Sequence, residues 1–573
     1  MEGGFPKLIK KFIIDIKNEF KGYNGKKLGQ DFMAGMTVAA VALPLALAFG
    51  VSSGADAAAG LITAIISGFV ITIFAGASFQ ISGPTGTMTA ILFAVAAQYG
   101  IQGVFITTFI AGFIRIFFGV FRCGKLVGYI PAPVILGFTS GIAIIIASGQ
   151  IDNFFGTHSV GDNTISRIMS YFDLGFKIHF PSMLIGLMVI AIMVFYPKKL
   201  NKMLPSSLAA IIIATAVSCL LPVDFAIVGE IPKTLLPENR LMLSAINLQI
   251  VKELFFPALG VAALGMIESL LCGSAASRMK KESFDADREL ISQGIGNIII
   301  PFFGGVPATA ALARTSVSIK SGAQTRLAGV FHGVGLLICM FLLGGVISKI
   351  PLAGLAGVLM VTSFRMNEWE SICKIFKKRF KGAISKYLLT LFVTVVFDLT
   401  TAIIVGVILS IFSFAIRSAK LSVNSAPVDV NRMSLDNETT IAFKNAHENT
   451  VVLYITGSLF FANCEQLAEI VYPYLDSSNK CQKLLFSVRG VPLVDTTAIQ
   501  TLEDLHTDAI ASGVEFYFCG LQSEVKELLE RSDFISKIGE DNFFNNAQDA
   551  LIDIALREKS QNKDVLEGQT VLA

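Results

Sequence analysis

Two side chains stand out by type and by place. Glu268 sits in the middle of an apolar run from Ala263 to Leu271. Arg314 follows the Gly- and Pro-containing stretch Phe303-Gly-Gly305-Val-Pro307-Ala-Thr-Ala-Ala-Leu-Ala313. A carboxylate at the centre of a bilayer costs at least about 2.5–3.5 kcal/mol on insertion scales, so such a group is retained for a task. It can hold a cation, carry a proton or pair with a buried cation. Arg314 is suited to an anion, because a guanidinium is always charged and offers several donors. By contrast, Glu289 and Asn297 read as capping or bridging residues, and His332 as a packed, hydrogen-bonded residue.

The stretch before Arg314 has a counterpart. Phe74-Ala-Gly76-Ala-Ser-Phe-Gln-Ile-Ser-Gly-Pro84-Thr85-Gly86 also opens on Phe, reaches Gly two residues on, and runs nine further to an expected helix start. The two expected starts, Thr85 and Arg314, lie 229 positions apart. Interrupted short helices at matching places in two halves point to a transporter site near the midplane. A helix N-terminus carries unpaired N–H groups and about half a positive charge, so two facing ends suit an anion.

The elements that must position these groups are apolar helices. The chain has 573 residues, of which 53% are hydrophobic and only 16% charged, against about 25% charged in soluble proteins. Disorder is excluded by that apolar content. The eight Cys are scattered, with no CxxC pair and no zinc spacing, and a net charge of +3 gives no reason to expect nucleic acid. Counting spans gives fourteen segments between Asp31 and Ser418, of which the third (85–98) and tenth (313–320) are too short to cross. Basic residues follow the even-numbered segments: Arg122 and Lys125, Lys198 to Lys202, Arg278 to Lys281, Lys320 and Arg326, Arg365 to Lys386, and Arg417 with Lys420. The positive-inside rule then places both termini in the cytoplasm, in a cell (inner) membrane protein. Fourteen segments divide as two sevens, and an odd repeat forces inverted topology.

The domain boundaries follow from this count. Residues 1–30 hold seven Lys among apolar residues and read as an amphipathic helix on the membrane surface. The first repeat is 31–253 and the second 254–420. After a linker at 421–437, residues 438–557 alternate strand-like and helical runs, which predicts a small α/β domain, and 558–573 reads as a flexible tail.

Taken together, Ala42-Leu-Pro44-Leu-Ala-Leu-Ala-Phe49, Ser82-Gly-Pro84-Thr85-Gly86, Ile267-Glu268-Ser269, Glu289 to Asn297, Phe302-Phe-Gly-Gly305 and Arg314-Thr315-Ser316 resemble the SulP family of anion permeases, whose animal members form the solute carrier 26 family. The resemblance covers nearly the whole chain. It implies a core domain and a gate domain, a homodimer, and an elevator-like movement. Phe49, Thr85, Gly86, Ala313, Arg314 and Thr315 would line the anion site, with Glu268 matching the carboxylate tied to cation coupling. The implied function is secondary active transport of sulfate or a related inorganic anion, coupled to H⁺ or Na⁺, with no other cofactor and no metal. Bicarbonate or a C4-dicarboxylate is the alternative anion, because Leu45 stands where many sulfate members have Gln and Ala313 where many have Ser. An uncoupled channel or a regulatory scaffold is the alternative of another class.

The tail resembles the STAS domain, through Val494-Asp495-Thr496-Thr497-Ala498 ahead of a helix. In the related antagonists this loop holds a phosphorylated Ser, so Thr496 or Thr497 is the candidate for modification and a cytoplasmic protein the candidate partner. Helix capping by Asp495 and Thr496 is the simpler reading. No nucleophile–base pair suggests an enzyme.

Overall fold

The computed structural model describes residues 4–124, 131–161, 164–197, 199–202, 204–397, 399–427, 447, 449–476 and 480–557. The chain divides into two compact units, Met1–Ser410 and Ile411–Ala573.

In the first unit the helices are α1 (Gly4–Glu19), α2 (Gly25–Ser52) and α3 (Ala57–Phe74), then the short strand β1 (Ser82–Gly83). Next come α4 (Thr89–Val120), α5 (Ala132–Gly149), α6 (Ile151–Phe155), α7 (Thr164–Leu174), α8 (Phe180–Phe195), α9 (Ser206–Leu220), α10 (Leu248–Lys280) and α11 (Ala286–Ile299). The strand β2 (Thr309–Ala310) precedes α12 (Leu312–Lys320), α13 (Leu327–Ile347), α14 (Leu352–Met366), α15 (Trp369–Lys377), α16 (Lys381–Val396) and α17 (Leu399–Ser418), whose end from Ile411 on falls in the second unit. Each of the fourteen expected segments coincides with helix. Segments three and four run together as α4, which breaks at Gly100 (φ 66°, ψ −170°), a conformation only glycine adopts freely. Among the described residues six helices are long and apolar enough to cross a membrane.

Packing sorts these helices into two groups. α2, α3, α4, α10, α11, α12 and α13 pack on one another, while α5, α8, α9, α14 and α16 form a second set. Within the first group, exchanging the two halves of the chain turns the α2–α13 contact into α10–α4, and α3–α13 into α11–α4. All four contacts are present. β1 pairs antiparallel with β2, Ser82 opposite Ala310 and Gly83 opposite Thr309, so the two extended stretches run side by side in opposite directions.

Several expectations shift. The half-helices begin at Thr89 and Leu312 rather than at Thr85 and Arg314, because a turn over 86–88 intervenes in the first and the second winds up two residues sooner. α2 starts at Gly25, inside the zone read as N-terminal, where the Asn24 side chain caps it. α1 is helical, but it does not lie free on a surface. Asp15 pairs with Arg288 and Glu19 with Arg326, both at 2.7 Å, and Phe12 stacks on Phe74. Between α6 and α8, Asp152 accepts from Arg167, Tyr171 and Ser159 and ties α7 down.

In the second unit a five-stranded sheet runs in the order β3 (Ser422–Pro427), β4 (Thr450–Thr456), β5 (Lys483–Gly490), β6 (Glu515–Cys519), β7 (Phe543–Phe544). Only β3 is antiparallel. The helices are α18 (Cys464–Leu475), α19 (Thr496–Ser512), α20 (Ser523–Arg531) and α21 (Phe534–Ile538), followed by a helical stretch over 547–557. Alternation along the strands gives each face its own core. Leu484, Phe486, Phe516 and Phe518 face α18 to α21, and Leu485, Tyr517 and Cys519 face Ala550, Leu551 and Ile554. The stretch read as a linker is therefore partly sheet, since 422–427 forms the edge strand. The rest of that linker, 428–437, the start of the expected domain at 438–446, and the 558–573 tail lie outside the described residues.

Candidate functional site

The site is built where β1 and β2 pair. Long helices flanking it are capped by side chains: Asn24 on α2, Asp56 on α3, Asn247 on α10 and Asp285 on α11. The half-helices α4 and α12 are preceded by Met88 and Ala311, which make no side-chain cap. The Thr89 N–H donates to the Gly86 carbonyl, and the other first-turn N–H groups are left for another acceptor.

Glu268, on α10, faces the start of α4. Its Oε2 accepts from the Thr85 hydroxyl at 2.9 Å and the Thr87 hydroxyl at 2.5 Å, and those hydroxyls are 2.9 Å apart. Arg314 comes from the first turn of α12 and is buried. Its Nη2 donates to the Pro84 carbonyl at 2.8 Å, while Nε and Nη1 have no hydrogen-bond partner among the described residues. A Cβ placed on Gly83 would fall 2.1 Å from Arg314 Nη1, so glycine is what lets the guanidinium lie across β1. Of the three options for Glu268, pairing with a buried cation is not taken up: among the described residues neither Glu268 nor Arg314 approaches an opposite charge within 4.0 Å. Unpaired donors on Arg314 and hydroxyls bridging a carboxylate leave capacity for a ligand.

Phe49 and Gly86 meet at the same place. A Cβ on Gly86 would lie 2.9 Å from the Phe49 ring and 2.3 Å from Ile146, so this corner is apolar and close-packed. Ala313 is exposed at the start of α12. Thr315 turns the other way: its hydroxyl accepts from the Ile81 N–H at 3.1 Å and from Cys272. Thr315 therefore positions β1 rather than facing the site. Glu289 accepts from the Gly76 N–H and from Gln293, and Asn297 brackets Ala308 through both its carbonyl and its N–H, as bridging residues should. His332 is fully buried, yet among the described residues neither ring nitrogen has a hydrogen-bond partner, against the expectation for it.

Arg115, on α4, escaped the sequence reading. It is fully buried and donates to the Ala308 carbonyl at 2.8 Å and the Val261 carbonyl at 3.0 Å. The signal was a lone Arg in the apolar segment four. A cavity of about 810 Å³ abuts the site. It is lined by Thr89, Phe93, Ile146, Gln150 and Arg167 among others, and shares Thr89 and Ile146 with the Gly86 corner.

In the second unit Asp495 alone caps α19. Its Oδ1 accepts from the Ala498 N–H at 2.8 Å and its Oδ2 from the Phe461 N–H at 2.9 Å. Thr496 and Thr497 are exposed on the first turn. Nearby, burial against Phe516 lowers the His506 pKa from its ordinary value. All eight cysteines are free.

Comparison with known proteins agrees with this architecture. The sulfate permease family profile matches residues 28–385, and the STAS domain profile matches 444–550. A putative sulfate transporter, YvdB, of Bacillus subtilis is 34% identical over 536 residues, covering 92% of this chain and 98% of that one. The bicarbonate transporter BicA of Picosynechococcus is 30% identical over 540 residues, covering 91% and 94%. The structure of SLC26A9 superposes with a TM-score of 0.84 at 16% identity, covering 98% of this chain and 96% of that one, which is a likeness of fold.

Proposed function

Because this chain belongs to the sulfate permease family, we propose that it is a secondary active anion transporter, with sulfate or a related inorganic anion as substrate and H⁺ or Na⁺ as driving ion. The anion sits between the N-termini of α4 and α12, against Arg314, Phe49 and Gly86. The observation that carries this reading is the antiparallel pairing of β1 with β2, which joins two half-helices without side-chain caps to an arginine with unpartnered donors.

Coupling follows from the hydrogen bonds of Glu268. While the carboxylate is ionised, the Thr85 and Thr87 hydroxyls donate to it. A proton on Glu268, or a cation bound there, competes for those lone pairs and releases the hydroxyls to donate to an anion instead. The first helix group then acts as the moving core and the second as the gate, in an elevator-type cycle within a homodimer. The protein lies in the cell (inner) membrane with cytoplasmic termini, and the STAS domain is its regulatory or partner-binding part. Thr496 or Thr497 is its candidate for phosphorylation, since an exposed helix N-terminus favours phosphate.

Bicarbonate is the second reading, favoured by the BicA relative. Uptake of labelled sulfate, bicarbonate and C4-dicarboxylates into proteoliposomes under imposed pH and Na⁺ gradients separates these readings. Conductive, gradient-independent flux would favour a channel instead.

A further inference from the structure

The buried charges around the β1–β2 pair do not balance. Arg314 has one carbonyl partner and two unpartnered nitrogens. Arg115 is a second buried guanidinium. It touches the Ala308 and Val261 carbonyls and the Met88 sulfur, and its Nε is unpartnered. Neither has an Asp or Glu oxygen within 4.0 Å among the described residues.

Arg115 is nonetheless next to the site. Ala308 is the residue before β2, and Met88 immediately precedes α4 and follows Thr87, a donor to Glu268. The guanidinium crosses α10 at Gly265, where a Cβ would fall 1.8 Å from Nη2. Gly265 is one helical turn from Glu268, on the same face. Glu289, the other buried carboxylate here, is engaged by Gly76 and Gln293 and faces Arg288 and Arg326 instead. Two arginines against one carboxylate leave one net positive charge. The two helix N-termini add about half a charge each. A dianion cancels more of that surplus than a monoanion, and the H⁺ or Na⁺ that neutralises Glu268 enlarges the surplus further.

From this we propose that Arg115 is a specificity-determining residue that tunes the site to a dianion, of the sulfate or dicarboxylate class, over a monoanion such as bicarbonate. It acts through the field at the site and not by touching the anion. The inference rests on the anion-transport reading above.

The test is equilibrium binding to the purified full-length protein at fixed pH, by displacement of labelled sulfate with unlabelled sulfate and with bicarbonate. Wild type should prefer sulfate. R115Q should lose about tenfold of that preference, since one unit charge is removed within a low-dielectric site. R115K should keep it. The double variant R115Q/E268Q restores the net charge and should restore the preference, which a purely structural role would not do. Equal weakening of both anions in R115Q, or no recovery in the double variant, would overturn the inference. Should R115Q not fold, E268Q alone decides: it adds net positive charge and should raise the preference about tenfold, and an unchanged ratio would overturn the charge count. A wild type that prefers bicarbonate also overturns it while leaving anion transport standing. A wild type that binds no anion defeats the transport reading itself.

Discussion

Replacing Gly83 by Ala places one methyl group where the Arg314 guanidinium lies. The added Cβ would sit 2.1 Å from Nη1 and 3.3 Å from Cζ, and its next neighbour is Ala64 Cα at 3.7 Å. Carbon contacts relax only at about 3.5–4.0 Å, so the guanidinium must retreat by more than about 1 Å. The strand has less freedom to give than a long side chain, because Gly83 is buried and paired with Thr309. Arg314 then loses its bond to the Pro84 carbonyl and its aim at the space between the half-helices. A hydrogen bond from a charged donor contributes about 1.5–3 kcal/mol. Transferred to binding, that is about one to two orders of magnitude in Kd. The assay is sulfate binding to purified protein beside thermal unfolding. Gly83→Ala should weaken binding about tenfold or more while the protein stays folded. Gly345→Ala is the control, since nothing lies within 4 Å of its added Cβ. Wild-type affinity in folded Gly83→Ala would refute the placement of Arg314 in the site.

Two further outcomes follow from neighbouring contacts. Thr87→Val removes the shorter of the two hydroxyl bonds to Glu268, at 2.5 Å. Concentrative uptake should fall about tenfold, as for loss of a charged hydrogen bond, and anion affinity should fall with it because the same hydroxyl is released to the anion, measured by uptake and binding on the same preparation. Glu19→Gln breaks the pair with Arg326, whose side chains are 11% and 6% exposed. Because the pair is mostly shielded, α1 should loosen by about 1–3 kcal/mol, read as faster hydrogen exchange in Gly4–Glu19 with α11 unchanged.

Much of this site is legible in the sequence because membrane burial makes polar residues expensive. Glu268 and Arg314 announce themselves in apolar surroundings, and the Gly/Pro stretches mark where helix must break. The rest depends on contacts distant along the chain. Arg115 bonds to carbonyls 146 and 193 positions away. Backbone carbonyls leave no trace in side-chain type, so a lone arginine in segment four gives no hint of them. Thr315 carries the right residue type, but which way a short helix turns it is decided by Ile81 and Cys272. The half-helix starts moved because Gly86 to Met88 form a turn, a choice that local propensity does not settle. The edge strand at 422–427 looks like linker by composition and becomes strand only because β4 offers it a partner.

Gradient-driven sulfate uptake into proteoliposomes, compared between wild type and Glu268→Gln, bears most directly on the proposed coupled site. Wild type should accumulate sulfate only under an inward H⁺ or Na⁺ gradient. Glu268→Gln should fold and bind sulfate yet lose gradient-dependent accumulation. Accumulation in the variant at the wild-type rate, with the same gradient dependence, would contradict the role of Glu268.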